Sequence, residues 1–267
     1  IFENIWVQPA AGDAGGSLGA CYYLYYHALN QPRSIDEVDK MYGAYLGSKF
    51  DEKEILDEIN FFKLKFTKED DQNKINSSIA KKISEGNSIG WFSGRSEYGP
   101  RALGARSIIA DPRPKDMQKD LNIKIKFRES FRPFAPSVLE EYHDKWFSSE
   151  VKNPYMLFIN KVLESKIIDV NAKGLDKLNS VESKIKSVTH VDLTARVQSI
   201  SKKINTNFHN LITEFYKITN VPILINTSFN VRGEPIVNSP KDAIKCFLGT
   251  NLDYLVLENF IISKKDQ

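Results

Sequence analysis

The chain has 267 residues, of which 41% are hydrophobic and 27% charged, with a formal net charge of +3. This is an ordinary globular composition, with enough length to bury a real core. No run approaches the roughly 18 consecutive apolar residues of a membrane-spanning helix, and a charge of +3 is too small by itself to argue for a nucleic-acid partner. Cys21 and Cys246 lie far apart with no metal-ligand spacing, so buried free thiols in a reducing cytoplasm are expected. The sequence opens at Ile1, inside what reads as a folded segment and without a charged-then-apolar leader. A piece of a longer cytoplasmic protein is therefore expected.

In chain order, Ala10 to Gly16 reads as a small-residue turn, and Leu18 to Leu29 as a helix with aromatics at helical spacing. Residues 31–75 are polar and mixed in charge, with a short helix suggested near Glu52–Leu56, and read as a connector. From residue 76 the pattern alternates. Ser77 to Gly86 is amphipathic, Ser88 to Phe92 is a buried strand, and Lys115 to Asn122 is helical. Phe134 to Leu139, Tyr155 to Ile159 and Ser187 to Asp192 read as strands. Residues 164–186 are rich in Lys, Ser and Asp and read as a surface insertion. Helix Phe208–Ile218, strand Pro222–Ile225, helix Asp242–Leu248 and strand Tyr254–Leu257 close the chain. The alternation predicts an α/β sheet domain.

Positive charge is concentrated in one window. Between Arg95 and Arg132 lie ten Lys or Arg residues against five acids, including six of the nine arginines. Arginine's planar fork of donors suits phosphate oxygens, so this window points to an anionic ligand. Within it, Gly94 to Ser107 mixes glycines with Arg95, Arg101 and Arg106; it has neither Walker A spacing nor a dinucleotide fingerprint. Surface ion pairing is an equal alternative for these arginines. Lys126 to Ser137 follows, and in an extended chain Lys126, Arg128 and Arg132 would share one face. A solvated basic face is the competing reading. Phe127, Phe131 and Phe134 suit a core or a base-stacking surface. Thr189 to Arg196 and Asn226 to Asn230 add polar groups at strand ends, with His190 weighed more as structural than as catalytic.

Three of these blocks resemble the O-carbamoyltransferase family of nodulation factors, cephalosporins and aminoglycosides. They are Arg95-x-Glu97-x-Gly99-Pro100-Arg101-Ala102-Leu103-Gly104, Lys126-x-Arg128-Glu129-x-x-Arg132-Pro133-Phe134-Ala135-Pro136 and Asn226-Thr227-Ser228-Phe229-Asn230. The resemblance implies a YrdC-like twisted sheet flanked by helices over residues 76–267. It also implies a connector at 31–75 and, at 1–30, the end of an actin/sugar-kinase-like transferase domain. It implies ATP with Mg, and carbamoyl phosphate, combined into carbamoyl-adenylate for transfer to a hydroxyl of a sugar or natural-product acceptor. No nucleic-acid or membrane partner is expected, and the sequence leaves open whether the chain is a monomer or a homodimer. Carried over residue by residue, Arg101, Lys126 and Arg132 are implied as catalytic, and Arg95, Glu97, Arg128, Arg196, Ser228 and Asn230 as binding nucleotide and carbamoyl group. Asp13 is implied as a metal ligand, for iron, only alongside two upstream histidines that this chain lacks. Leu193 stands where the family's Asp-Gly-Thr has Gly. A threonylcarbamoyl-adenylate-synthase-like enzyme shares the Lys-x-Arg and Ser-x-Asn signatures, and a non-catalytic nucleotide- or RNA-binding module is the remaining alternative.

Overall fold

The computed structural model describes residues 6–34, 39–149, 151–163 and 165–267. Residues 1–5 of the expected N-terminal segment and 35–38 of the expected connector lie outside the described residues. The strands are β1 (Thr67–Lys68), β2 (Ile89–Phe92), β3 (Arg106–Ala110), β4 (Ala135–Leu139), β5 (Ile159–Lys161), β6 (Lys166–Ile167), β7 (Val181–Glu182), β8 (Thr194–Arg196), β9 (Gln198–Ile200), β10 (Ile223–Ser228), β11 (Tyr254–Leu257) and β12 (Phe260–Ser263). The α-helices are α1 (Gly16–Tyr23), α2 (Glu52–Phe61), α3 (Gln72–Ser84), α4 (Met117–Lys124), α5 (His143–Trp146), α6 (Thr206–Thr219) and α7 (Pro240–Leu248).

Eight strands form one mixed sheet in the order β1-β12-β11-β2-β3-β10-β4-β9, giving the expected α/β architecture of a sheet flanked by helices. Its central strands β2, β3 and β4 are buried at every residue, which is why they read as apolar runs and not as alternations. The helices form where local signals agree with the core. In α3, Ile75, Ile79 and Ile83 recur at four-residue spacing and are all buried. Asp51 and Glu54 close a reciprocal capping box on α2, and Ser239 and Asp242 do so on α7, with Pro240 in its first turn. Asn220, at φ +57°, ends α6. Helices α3 and α6 pack together with α6 over β4 and β10, while α2 packs on α7, which lies over β2 and β11.

Four sequence expectations are altered. The polar stretch at 31–75 supplies α2, whose Ile55 and Ile59 are fully buried in the main core, and β1 at the sheet edge. Tyr155–Phe158 is not a strand, and β5 begins only at Ile159. The Asn153 side chain accepts from Leu157 N at 2.9 Å and donates to Phe158 O at 3.0 Å, and Met156 turns at φ +54°. Ser187–Asp192 begins as a 3-10 turn, and the strand starts only at Thr194. Cys21 is exposed, while Cys246 is buried; neither forms a disulfide. No helix among the described residues is long and apolar enough to cross a membrane.

Strand register decides where the polar blocks meet. Ser228 pairs with Ser107, Phe92 with Arg106, Asn226 with Ala135, and Ser137 with Gln198. The carboxyl ends of β2 and β10 and the amino ends of β3, β4 and β9 therefore share one end of the sheet. The loops at 93–105, 125–134, 190–197 and 229–238 all leave from that end.

Candidate active site

Those loops enclose a cleft of about 390 Å³ lined by Arg101, Arg128, Arg132, Arg196, His190, Met156, Ile159, Phe134, Asn226, Thr227 and Ser228, with Pro100, Ala102, Pro133 and Ala135. Among the described residues, no Asp or Glu lines it. A second cavity of about 500 Å³ adjoins it across Pro100 and Ser228, lined by Ser96, Glu97, Arg106, Asn230 and the 235–238 turn among others.

The 93–105 loop is built around one carboxylate. Oε1 of Glu97 accepts from the backbone N–H of Leu103 at 2.7 Å, Ala105 at 2.8 Å and Arg106 at 3.2 Å. Burial raises its pKa, and these three donors pull it back. Gly104 sits at φ +104°, and a Cβ there would meet Phe208 Cδ1 at 2.3 Å, so both conformation and space demand glycine. Arg106 is fully buried. Its guanidinium donates to the carbonyls of Gly94 and Ala105, both at 3.1 Å, and of Ser48 at 3.3 Å. It also lies 3.4 Å from the Phe92 ring centroid. Burial lowers its pKa to about 10, against the pull of Glu97 and Glu258.

Arg101 differs. Nε is buried and unpaired in Arg101, Arg196 and Arg106 alike, but whereas the terminal nitrogens of Arg106 meet carbonyls, those of Arg101 and Arg196 find no hydrogen-bond acceptor among the described residues. Burial, then the Arg101 charge, lowers the Arg196 pKa. Two cations that repel each other and hold unmet buried donors form a site suited to a multivalent anion. Arg128 is preset for the same space: its Nε donates to Asn122 Oδ1 at 2.6 Å and its guanidinium stacks 4.9 Å from the Phe134 ring. Asn122, buried on α4, also donates to the carbonyls of Ser130 at 3.1 Å and Arg132 at 2.8 Å, fixing the 126–132 loop. Arg132 and Arg232 both approach Glu129, at 3.8 and 3.6 Å.

Lys126 does not share a face with Arg128 and Arg132. The chain is not extended there: Phe127 has φ +48°. Lys126 is buried, and its Nζ donates to Ser228 O, to Asn230 O at 2.9 Å and to Asn230 Oδ1 at 2.8 Å, with Ser228 Oγ at 3.3 Å. Burial, then Arg128, lowers its pKa to about 7. Lys126 thus ties the 228–230 turn to the end of α4 and lines neither cavity.

Of the residues singled out in the sequence, Arg101, Arg128, Arg132, Arg196 and Ser228 meet in the cleft, and Glu97 and Asn230 line the adjoining cavity. Arg95 is outside both and donates to Gly47 O at 2.9 Å. Phe134 is buried, whereas Phe127 and Phe131 are exposed. Leu193 adopts φ +63°, the left-handed backbone that glycine favours. Asp13 is exposed, and among the described residues no group of three His, Cys, Asp or Glu could hold a metal ion, so these residues do not build an iron site. His190 was weighed as structural but lines the cleft, and burial, then Arg196, keeps its pKa below the usual histidine value against the opposing pull of Asp192. Asn226, Ser137 and Gln198 were missed as site residues. The available signal was a polar residue at the end of the apolar run 221–225.

Residues 80–264 match the carbamoyltransferase C-terminus family. The chain belongs to the carbamoyltransferase family. It is 44% identical to the uncharacterized protein sll1178 of Synechocystis sp., over all of this chain and 44% of that protein. It is 42% identical to nodulation protein NolNO of Sinorhizobium fredii, over 99% of this chain and 37% of that one. The 3'-hydroxymethylcephem-O-carbamoyltransferase of Streptomyces clavuligerus is 28% identical over 91% of this chain and 41% of its own length. The chain therefore spans about two fifths of the length of these relatives. A crystal structure of full-length HypF in a phosphate- and nucleotide-bound form is a looser likeness, with a TM-score of 0.44 and 17% identity over 75% of this chain and 23% of that one.

Proposed function

We propose that this region forms carbamoyl-adenylate from ATP and carbamoyl phosphate, as the activating half of an O-carbamoyltransferase. The single observation carrying this reading is the acid-free cleft in which Arg101 and Arg196 keep buried donors without partners. Carbamate attack on the α-phosphorus brings anions together, and pyrophosphate must leave with its charge stabilised. Fixed guanidinium donors aimed at those oxygens lower that barrier without reorganising during the reaction. Carbamoyl phosphate supplies carbamate and phosphate with one water. Carbamate then displaces pyrophosphate from ATP, so the nucleophile arrives anionic and needs no general base. Mg enters with the triphosphate, because no described carboxylate lines the cleft to hold it. Arg101 and Arg196 are assigned to the reacting anions, Arg128 and Arg132 to the phosphate tail, and Ser228 and Asn230 to the border between the two cavities.

Residues 1–30 belong, in this reading, to the end of an acceptor-binding domain. In support, α1 buries none of its residues, and Tyr22, Tyr23, Leu24 and Leu29 stand exposed along this segment. Transfer to a hydroxyl acceptor takes place there. The test is AMP and pyrophosphate release from ATP by the full-length protein. Release that requires carbamoyl phosphate supports the reading, and ATP turnover indifferent to carbamoyl phosphate contradicts it.

A further inference from the structure

Among the described residues that line the cleft, one unmet group is not a cation. Asn226 is 1% exposed, and its Nδ2 donates to Ala102 O at 3.2 Å, Ser137 Oγ at 3.0 Å and Gln198 Oε1 at 2.9 Å. The orientation of this amide is fixed by its neighbours. Ala102 O can only accept. Gln198 gives its Nε2 to Leu103 O at 2.8 Å, another backbone acceptor, so its Oε1 must face Asn226. Ser137 gives its one proton to the same Oε1 at 2.6 Å and presents a lone pair to Asn226. Flipping the amide would set a carbonyl oxygen against three oxygens. Oδ1 is thereby left buried with no donor, and buried acceptors in native folds are rarely left so.

The unmet groups at this cleft are then two cationic donors, Arg101 Nε and Arg196 Nε, and one neutral acceptor, Asn226 Oδ1. The complementary ligand carries anionic oxygen and a neutral N–H donor on the same small group. Phosphate and pyrophosphate have no such donor, and the amine of adenine lies at the opposite end of a nucleotide from its phosphates. Carbamate has both, and carbamoyl phosphate sets its N–H₂ beside a charged phosphate. We infer that Asn226 is the specificity-determining residue of the cleft, its Oδ1 accepting a hydrogen bond from the carbamoyl N–H₂ and so separating carbamoyl donors from their acetyl isosteres. This inference rests on the carbamoyl-adenylate reading above.

The experiment compares carbamoyl phosphate with acetyl phosphate, in which CH₃ replaces NH₂, as co-substrates for AMP formation from ATP by the full-length protein. A site that hydrogen-bonds a substrate N–H rejects the analogue lacking it, so wild type should favour carbamoyl phosphate on the order of 100-fold or more in kcat/KM. In Asn226→Leu that ratio should fall at least about tenfold, through loss on carbamoyl phosphate, while the calorimetric Kd for ATP stays within about twofold. Equal loss on both donors would mean that Asn226 only holds the Ala102–Leu103 loop, and would overturn the inference. So would weakened ATP binding with an unmoved ratio. The wild-type comparison needs no variant: equal use of acetyl phosphate also overturns it. Failure of carbamoyl phosphate to support any AMP formation in wild type would instead overturn the underlying function, and this inference with it.

Discussion

Arg101, in the 93–105 loop, and Arg106, at the start of β3, stand five residues apart in surroundings the sequence hardly distinguishes, yet the fold treats them in opposite ways. Arg106 is enclosed, stacked on Phe92 and matched to three carbonyls. Arg101 has the same buried, unmet Nε as Arg106, but it faces another arginine across a cleft lined by no described acid and has no carbonyl on its terminal nitrogens. The same contrast separates Arg196 from Lys126, whose ammonium is already taken up by the 228–230 turn. What separates these cations is therefore not their place in a basic motif but whether protein acceptors already occupy their terminal nitrogens.

The sharpest way to break this contrast is Arg101→Ala. It should lower carbamoyl-phosphate-dependent turnover by on the order of 100-fold or more, as loss of one preorganised donor does elsewhere. Folding stability, measured by urea denaturation, should stay within about 0.5 kcal/mol, since the lost group has no protein partner. Turnover near wild type would remove Arg101 from the site. Arg106→Met should do the reverse in stability, with a loss of roughly 1–3 kcal/mol as three carbonyls lose their donor. An Arg106 variant as stable as wild type would show that its contacts are incidental. Gly104→Ala should also cost about 1–3 kcal/mol, through the clash with Phe208 and the left-handed backbone; a neutral midpoint shift would mean that the loop relaxes freely.

The smallest effect is a slope. The pKa of Glu97 is raised in the fold by burial, so between the ordinary carboxyl value of 4.5 and its raised value the folded chain binds more protons than the unfolded chain. Its contribution is complete below that window and is lost as pH rises through it. Glu97→Gln keeps an oxygen for the three backbone donors and removes the titration. Stability curves of wild type and variant should therefore diverge as pH rises through this window, with the variant falling less. Parallel curves would place the Glu97 pKa at its ordinary value.

The sequence carried the helices well, because α3, α6 and α7 have apolar spacing and caps that agree with their packing. It hid β3, because Arg106 and Ser107 look like loop chemistry when only the following apolar residues are visible as strand. It hid α2's place in the core, because two isoleucines among charges suffice once a partner helix covers them. The arginines of the cleft were legible as a group from composition and motif. Their sorting was not, since which donors stay free depends on carbonyls contributed from Gly47, Ser48 and Gly94 and on an amide at Asn122. The Asn226–Ser137–Gln198 cluster was invisible for the same reason. Its members meet only through the pairing of β10 with β4 and of β4 with β9.

The central claim is that the free cations of this cleft serve adenylate formation, and its most direct measurement is exchange of labelled pyrophosphate into ATP by the full-length protein. Exchange reports reversal of the adenylate step and not mere ATP hydrolysis. Exchange should appear only with carbamoyl phosphate and drop at least about 100-fold in Arg101→Ala. Exchange independent of carbamoyl phosphate, or AMP release with no exchange at all, would contradict it.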